Sequence, residues 1–151
     1  MMVSALLLLG LAAEPWPHHT DAELKTAIAE ACVRATAAKK PVLLSFSAPW
    51  CVDCQVLHKL ERDPNVQSEL ANWEQVSTDV GQFDQHQVLL KALGGDRIAW
   101  WAALAPTAAQ CTADASTWPR LKVGPIEPAT SGQFQTAADV VAWLQTARAG
   151  R

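Results

Sequence analysis

The sequence is poor in charge, in cysteine and in basic runs, and each shortage excludes a class of protein. Only 18% of the 151 residues are charged, while 50% are hydrophobic. Disordered chains have the opposite balance, so this chain can bury a core, and its length fits about one domain. Four cysteines are too few for a miniprotein that several disulfides hold together.

The scarcity of basic residues bears on the partners of the chain. The 12 Lys and Arg residues against 15 Asp and Glu residues give a formal charge of -3 and a pI near 5.7. Proteins that bind nucleic acid present a basic patch or stripe. The sequence therefore gives no electrostatic reason to expect nucleic acid as a partner.

The most apolar run is residues 1–13, MMVSALLLLGLAA. A membrane span needs about 20 such residues, so the run is too short to cross a bilayer. Its length fits a signal-peptide core, with Ala12 and Ala13 near a cleavage point, although no basic residue precedes it. A buried N-terminal strand or helix is the alternative. We expect an export signal at 1–13, a linker at 14–20 and one domain at 21–151.

Hydrophobic spacing predicts alternating helices and strands over that domain. The continuous apolar run Val42–Ser47 is typical of a strand buried on both faces, and a helix capped by Thr20 or Asp21 precedes it. Other predicted helices are Cys51–Arg62, Pro64–Asn72, Gln85–Leu93 and one capped by Thr136; other predicted strands are Trp73–Val80, Thr107–Cys111 and Leu121–Ile126. Ile98–Leu104 fits either. This order predicts an α/β domain with parallel crossovers followed by a hairpin.

The strongest functional signal is the C-x-x-C pair Cys51 and Cys54. The first cysteine follows a predicted strand and opens a helix, where N–H groups and the helix dipole stabilise a thiolate. Such a thiolate attacks a disulfide, and a second thiol one turn later resolves the mixed disulfide. A closed zinc site needs two more ligands, which isolated cysteines do not supply. The pattern therefore predicts thiol–disulfide exchange.

The run VLLSFSAPWCVDCQVL resembles the active-site strand and helix of thioredoxins. The longer run Lys40–Leu93, with CVDC, DPNVQSEL and VLLKAL, is similar to the C-terminal periplasmic domain of the thiol:disulfide interchange protein DsbD and to related single-domain proteins. The resemblance implies a thioredoxin fold: a central mixed β-sheet flanked by helices, here with an extra N-terminal helix. It makes Cys51 the exposed nucleophile, Cys54 the buried resolving thiol and Trp50 a shield over the site.

The resemblance also implies a cis-proline that faces the disulfide and whose flanking backbone binds the substrate. Ala105-Pro106-Thr107 matches that element, which makes Ala105 and Pro106 the expected substrate-binding residues. An ordinary trans proline is the alternative. The sequence departs from the family at Ser45, where thioredoxins have a buried Asp, and in the longer segment Gly94–Leu104, which is either a lid or partner surface or part of the core.

Two residues near the cysteines are candidate supporting groups. His58 shares a helical stripe with Cys51 and Cys54, where an imidazole can relay a proton in place of the missing acid; an ordinary helix histidine is the alternative. Asp53 lies inside the motif, where a carboxylate disfavours a neighbouring thiolate. We expect it to make the couple less oxidising, unless its side chain turns into solvent.

The other two cysteines and three histidines are not expected to take part in the chemistry. Cys32 and Cys111 are interpreted as inert core thiols, with a bridge between them as the alternative if their Cα atoms lie within about 7 Å. His18, His19 and His86 are expected to be solvated.

Motif and resemblance together imply a thiol:disulfide oxidoreductase, periplasmic or otherwise exported, that reduces disulfides in other exported proteins. Its expected partners are protein disulfides and an electron donor such as a membrane thiol–disulfide transporter. No cofactor beyond the cysteine pair and no metal are expected. The alternative is a Cu(I)-binding chaperone in which the pair and His58 or His86 hold the ion. A redox-inert interaction module is a third reading, which the intact Trp-Cys-x-x-Cys unit disfavours.

Overall fold

A computed structural model of the chain describes residues 15–151, so the signal peptide predicted at 1–13 lies outside the described residues. The elements, in chain order, are α1 (Asp21–Ala38), β1 (Val42–Ser47), α2 (Val52–Leu60), α3 (Pro64–Leu70), β2 (Glu74–Asp79), α4 (Gln87–Ala92), β3 (Trp100–Leu104), β4 (Arg120–Pro125) and α5 (Ala137–Arg148). Two short 3-10 turns, 108–110 and 115–117, lie between β3 and β4. Within this range no helix combines the length and the apolar character of a membrane span.

The four strands form one mixed sheet in the order β2-β1-β3-β4. β1 and β2 are parallel, whereas β3 is antiparallel to both of its neighbours. The predicted mixed sheet with a preceding N-terminal helix is therefore confirmed. The ends of β1, β2 and β4 and the start of β3 meet at one edge, because Ser47 is paired with Asp79 and Trp100 with both Phe46 and Pro125.

β3, which the sequence left undecided between helix and strand, lies entirely within the core. All five of its residues are buried, and the Trp101 ring packs against Trp143 with the ring centroids 5.5 Å apart. A run that is apolar at every position has no period to read, which explains the ambiguity. The lid interpretation of Gly94–Leu104 is wrong for residues 100–104, since they form an inner strand.

The strand predicted at Thr107–Cys111 is also wrong. These residues form a 3-10 turn, in which the Thr107 N–H donates to the Gln110 side chain at 2.8 Å. The turn brings Cys111 against α1, and a disulfide joins it to Cys32 with a Cα–Cα distance of 5.4 Å. The expectation of two free core thiols is wrong, and the bridge that was its alternative is present.

The histidines near the N-terminal helix differ in their surroundings. The His18 side chain is 72% exposed, as expected, and lies 3.3 Å from the buried Asp79 carboxylate. His86 was expected in solvent but is buried, and its Nδ1 lies 2.7 Å from Asp21 Oδ1. The loop between β2 and α4 folds back against the start of α1, which a local sequence pattern does not reveal.

Candidate active site

The cysteine pair lies at the start of α2, directly beyond β1. Cys51 is the N-cap of the helix, and its sulfur accepts a hydrogen bond from the Cys54 N–H at 3.1 Å. The two residues form a disulfide with a Cα–Cα distance of 5.2 Å. In the reduced state, the same N–H and the helix N-terminus stabilise a Cys51 thiolate.

Access to the two sulfurs is unequal. Cys51 is 6% exposed and Cys54 is 1% exposed. Cys51 was expected to be exposed, but in this disulfide state it is largely buried. Its exposed fraction is small and only somewhat larger than that of Cys54. An incoming thiolate therefore meets Cys51 before Cys54, which is the order that nucleophile and resolving thiol require.

Trp50 builds an apolar surface beside Cys51. Its Nε1 donates to the Gly81 carbonyl at 2.7 Å, and its ring packs against Phe83 with centroids 5.5 Å apart. Trp50, Val52 and Phe83 are 44%, 60% and 41% exposed, and we call these three residues the apolar patch. Sequence reasoning missed Phe83, whose only signal was an aromatic residue within a polar loop.

Phe83 holds an unusual backbone conformation. Its φ is +61°, in the left-handed region that a bulky side chain rarely adopts. Residues in such conformations cost of order 1–3 kcal/mol and cluster at functional sites. The loop is held in place by hydrogen bonds at its start, where the Gly81 N–H donates to Asp79 Oδ1 at 2.7 Å. The half-exposed ring is thus fixed beside Trp50 at a conformational cost.

Asp53 is turned away from solvent and toward the loop between β4 and α5. Its Oδ1 accepts the N–H groups of Ala129 and Thr130 at 2.7 and 3.0 Å, and its Oδ2 accepts the Thr130 hydroxyl at 2.6 Å. The residue is only 6% exposed. Neither Ala129 nor Thr130 carried a sequence signal, because the contact spans more than 70 positions. Whether Asp53 also makes the couple less oxidising stays a prediction.

Residues 23–95 match a family model described as Thioredoxin-like. Over 69 residues the chain is 36% identical to the thiol:disulfide interchange protein DsbD 1 of Pseudomonas aeruginosa. That match covers 45% of this chain but 11% of the relative, so the chain spans about a tenth of its length.

Solved structures extend the likeness over most of the chain. The disulphide isomerase from Xylella fastidiosa Temecula1 has a TM-score of 0.67 at 24% identity, with 88% of this chain and 97% of that chain covered. The reduced C-terminal domain of DsbD from Neisseria meningitidis has a TM-score of 0.60 at 23% identity, with 84% and 96% covered. The fold is thioredoxin-like.

The cis-proline assigned to Pro106 is wrong. β3 runs antiparallel to β1, so Leu104 pairs with Val42 at the start of β1. Ala105 and Pro106 follow Leu104 and therefore lie at the sheet edge away from Cys51. The six residues of β1, at about 3.3 Å per residue, separate the two edges by about 17 Å. Thr107 starts a turn rather than a strand, which is why the sequence match misled.

The residues that do precede β3 are Ile98 and Ala99. The peptide bond between them is cis, and it is the one cis peptide bond among residues 15–151. The Ala99 carbonyl accepts the Ile126 N–H at 2.9 Å, so the start of β3 is held to the end of β4. Ile98 and Ala99 thus stand at the Cys51 edge of the sheet, where Ala105 and Pro106 had been expected.

Ser45 occupies the position where thioredoxins bury an aspartate. Its hydroxyl accepts the Trp101 Nε1–H at 3.2 Å and lies 3.4 Å from the Ser47 hydroxyl. The Ser45 hydroxyl thus accepts the hydrogen bond that the buried Trp101 indole needs. A serine at this position supplies no carboxylate that could accept a proton from Cys54.

His58 lies on α2, with partners other than the cysteines. Its ring packs edge-on against Trp16 at 5.6 Å, and its Nδ1 is 3.5 Å from Glu61 Oε2. Burial raises the pKa of the Glu61 carboxyl to about 7. These contacts fit a partnered helix histidine, the alternative named above, and proton relay by His58 stays a prediction. Sequence reasoning missed Glu61, which takes its pKa from packing alone.

Nothing in these contacts favours the Cu(I) alternative. It required His58 or His86 beside the cysteine pair, and these residues instead contact Glu61 and Asp21. Over residues 15–151, no three His, Cys, Asp or Glu side chains gather in a group suited to a metal ion.

Proposed function

We propose that the chain is an exported thiol:disulfide oxidoreductase that reduces disulfides in other proteins. The observation that carries this is the Cys51–Cys54 disulfide at the N-terminus of α2, with the Cys54 N–H directed at the Cys51 sulfur. The likeness to the disulfide-handling relatives reported above supports the same activity.

The reaction needs only the two cysteines. In the reduced protein, the Cys51 thiolate attacks a client disulfide, forms a mixed disulfide and releases one client thiolate. The Cys54 thiolate then attacks the Cys51 sulfur, which frees the second client thiol and leaves the Cys51–Cys54 disulfide. Two electrons pass to the client, and a donor dithiol must return them. No cofactor other than the cysteine pair takes part in this cycle.

The surroundings of Cys51 support protein clients over small disulfides. The apolar patch presents three partly exposed side chains next to the reacting sulfur, and such patches mark contact sites for other proteins. The donor is a second protein dithiol, such as a membrane thiol–disulfide transporter, that reaches the same sulfur.

An oxidising compartment accounts for the second disulfide. Structural disulfides persist in exported proteins and are rare in reducing compartments. The Cys32–Cys111 bridge, between two residues 0% and 7% exposed, is of this structural kind. Together with the apolar run at 1–13, it supports the periplasm or another exported location.

Insulin reduction tests the activity. With dithiothreitol as donor, we expect the chain to accelerate precipitation of insulin chains, and we expect Cys51→Ser to abolish the acceleration. The Cys32→Ala/Cys111→Ala variant is the matched control and should keep the activity. A wild-type chain that leaves the rate unchanged would refute the proposal.

A redox titration tests the direction of electron flow. Trp50 lies beside the disulfide, so Trp fluorescence in a glutathione or dithiothreitol buffer should follow its reduction. A potential near or below about -200 mV supports a reductant, whereas a value near about -120 mV marks a strong oxidant and refutes the reductase proposal.

A further inference from the structure

The buried Asp53 carboxylate joins the cysteine motif to a distant segment of chain. All three of its hydrogen bonds go to Ala129 and Thr130, in the loop 127–131 that follows β4. Both donor residues are themselves exposed. Their backbone N–H groups are therefore held by Asp53 rather than by the packing of their own side chains.

The loop 127–131 belongs to the rim around Cys51. β4 ends at the same sheet edge as β1, and the Ile126 N–H just before the loop donates to Ala99 at the start of β3. Glu127 in the loop lies 3.8 Å from Arg97, in the segment that enters β3. The loop 127–131 and the loop that carries Phe83 therefore both lie at the sheet edge where Cys51 follows β1.

The motif thus holds two loops by side-chain hydrogen bonds, one on each side of the cysteine pair. Trp50, just before the first cysteine, bonds to Gly81 in the loop after β2. Asp53, just before the second cysteine, bonds to the loop after β4. The two contacts hold both loops against the segment that carries the disulfide.

We propose that Asp53 is a positioning residue for protein clients: its hydrogen bonds hold the loop 127–131 against the first turn of α2, and this anchoring, rather than the charge of the carboxylate beside the sulfur, is its main contribution to disulfide exchange. The proposal has two parts. That Asp53 anchors the loop 127–131 concerns the fold alone, whereas the effect of this anchoring on client binding rests on the proposed function.

Three variants separate anchoring from charge. Asp53→Asn removes the charge but keeps an oxygen acceptor for both backbone N–H groups, and its amide can donate to the Thr130 hydroxyl. Asp53→Ala removes the charge and all three bonds. Thr130→Val removes the side-chain bond alone, with Thr26→Val, an exposed threonine on α1, as its matched control.

Hydrogen exchange followed by NMR measures the anchor directly. In the wild type, the Ala129 and Thr130 amide protons should be protected although both residues are exposed. We expect Asp53→Ala to speed their exchange by about tenfold or more, the loss expected for hydrogen bonds to a charged acceptor. Asp53→Asn should retain most of the protection, and unchanged exchange in Asp53→Ala would overturn the anchor.

Steady-state kinetics measure the consequence. With insulin as the protein disulfide, Asp53→Ala should raise KM several-fold, while Asp53→Asn and Thr26→Val stay near the wild type and Thr130→Val falls between. With the small disulfide 5,5'-dithiobis(2-nitrobenzoate), all variants should react at similar rates. If Asp53→Asn instead matches Asp53→Ala with both substrates and shifts the reduction potential equally, charge is the main contribution and the proposal is wrong.

The two parts of the proposal can be refuted separately. A wild-type chain without insulin activity refutes the proposed function and, with it, the effect on client binding. Hydrogen exchange at Ala129 and Thr130 still tests whether Asp53 anchors the loop. Retained circular dichroism and thermal midpoint show that Asp53→Ala remains folded. If that variant unfolds, the milder Thr130→Val must show faster exchange at position 130 and a raised KM for insulin, and unchanged values there would refute the proposal.

Discussion

Removal of the Cys32–Cys111 disulfide should cost this chain a large part of its stability. The bridge joins residues 79 positions apart and ties α1 to the turn before β4. In the chain-entropy account, a closed loop of that length lowers the entropy of the unfolded state enough to stabilise the fold by about 4.5 kcal/mol at 25 °C. Domains of this kind are stable by about 5–15 kcal/mol in total, so the loss is a substantial share.

Urea unfolding of Cys32→Ala/Cys111→Ala, followed by Trp fluorescence without reductant, measures this directly. Alanine at both positions avoids burying a hydroxyl, since Cys32 is 0% exposed. The active-site disulfide stays intact in both proteins and cancels from the comparison. We expect the midpoint to fall and the free energy of unfolding to drop by about 3–5 kcal/mol.

The wild type in strong reductant provides a second reference. Once both disulfides are reduced, the wild type should lose at least as much stability as the double variant does. A loss below about 1 kcal/mol in the variant would refute the reasoning, because it would mean that the cross-link does not restrict the unfolded chain as its length requires.

Three further predictions concern the site. Phe83→Ala should raise KM for insulin while leaving the reaction with 5,5'-dithiobis(2-nitrobenzoate) unchanged, because it removes apolar contact area and no reacting group; equal losses with both substrates would show that the patch acts on the chemistry. For His58→Ala, a proton relay predicts a changed pH–rate profile for insulin reduction, and an unchanged profile would remove His58 from the mechanism. Glu61→Gln should remove a pH dependence of stability, since burial raises the pKa of the folded Glu61 to about 7 from 4.5. The folded state then holds the proton more tightly, so stability is fully present below about pH 4.5 and falls as pH rises through 7. The loss is on the order of 3 kcal/mol, and less because solvent reaches the quarter-exposed side chain. Urea unfolding between pH 4 and 8 should show this fall in the wild type and not in Glu61→Gln, and parallel curves would refute it.

The sequence predictions that succeeded depended on residues that are close together in the chain. The strand Val42–Ser47 was predicted with its observed bounds, because a buried run between Pro41 and a cysteine turn has one simple interpretation. The placement of Cys51 at a helix N-terminus followed from the change of period at the motif. In both cases the deciding residues are neighbours in the chain.

The predictions that failed required contacts between distant residues. Pro106 was assigned by resemblance because proline is the usual cis residue, so Ile98 and Ala99 were not considered. The all-apolar run before Pro106 gave no hydrophobic period to show that β3 had already begun. The Cys32–Cys111 bridge depends on a turn that the sequence had suggested as a strand. The raised pKa of Glu61 arises from packing that no spacing rule encodes.

Asp53 shows that the place of a residue in a motif does not by itself determine what the residue does. The sequence placed a carboxylate between two cysteines, and from proximity alone its charge was the natural effect to consider. The structure satisfies that carboxylate with two backbone N–H groups and one hydroxyl from residues 76 and 77 positions away. A carboxylate with three donors is stabilised by them and fixes their positions in return. The residue between the cysteines can therefore determine which clients fit as well as how oxidising the disulfide is, and the Asn and Ala variants measure these two effects apart.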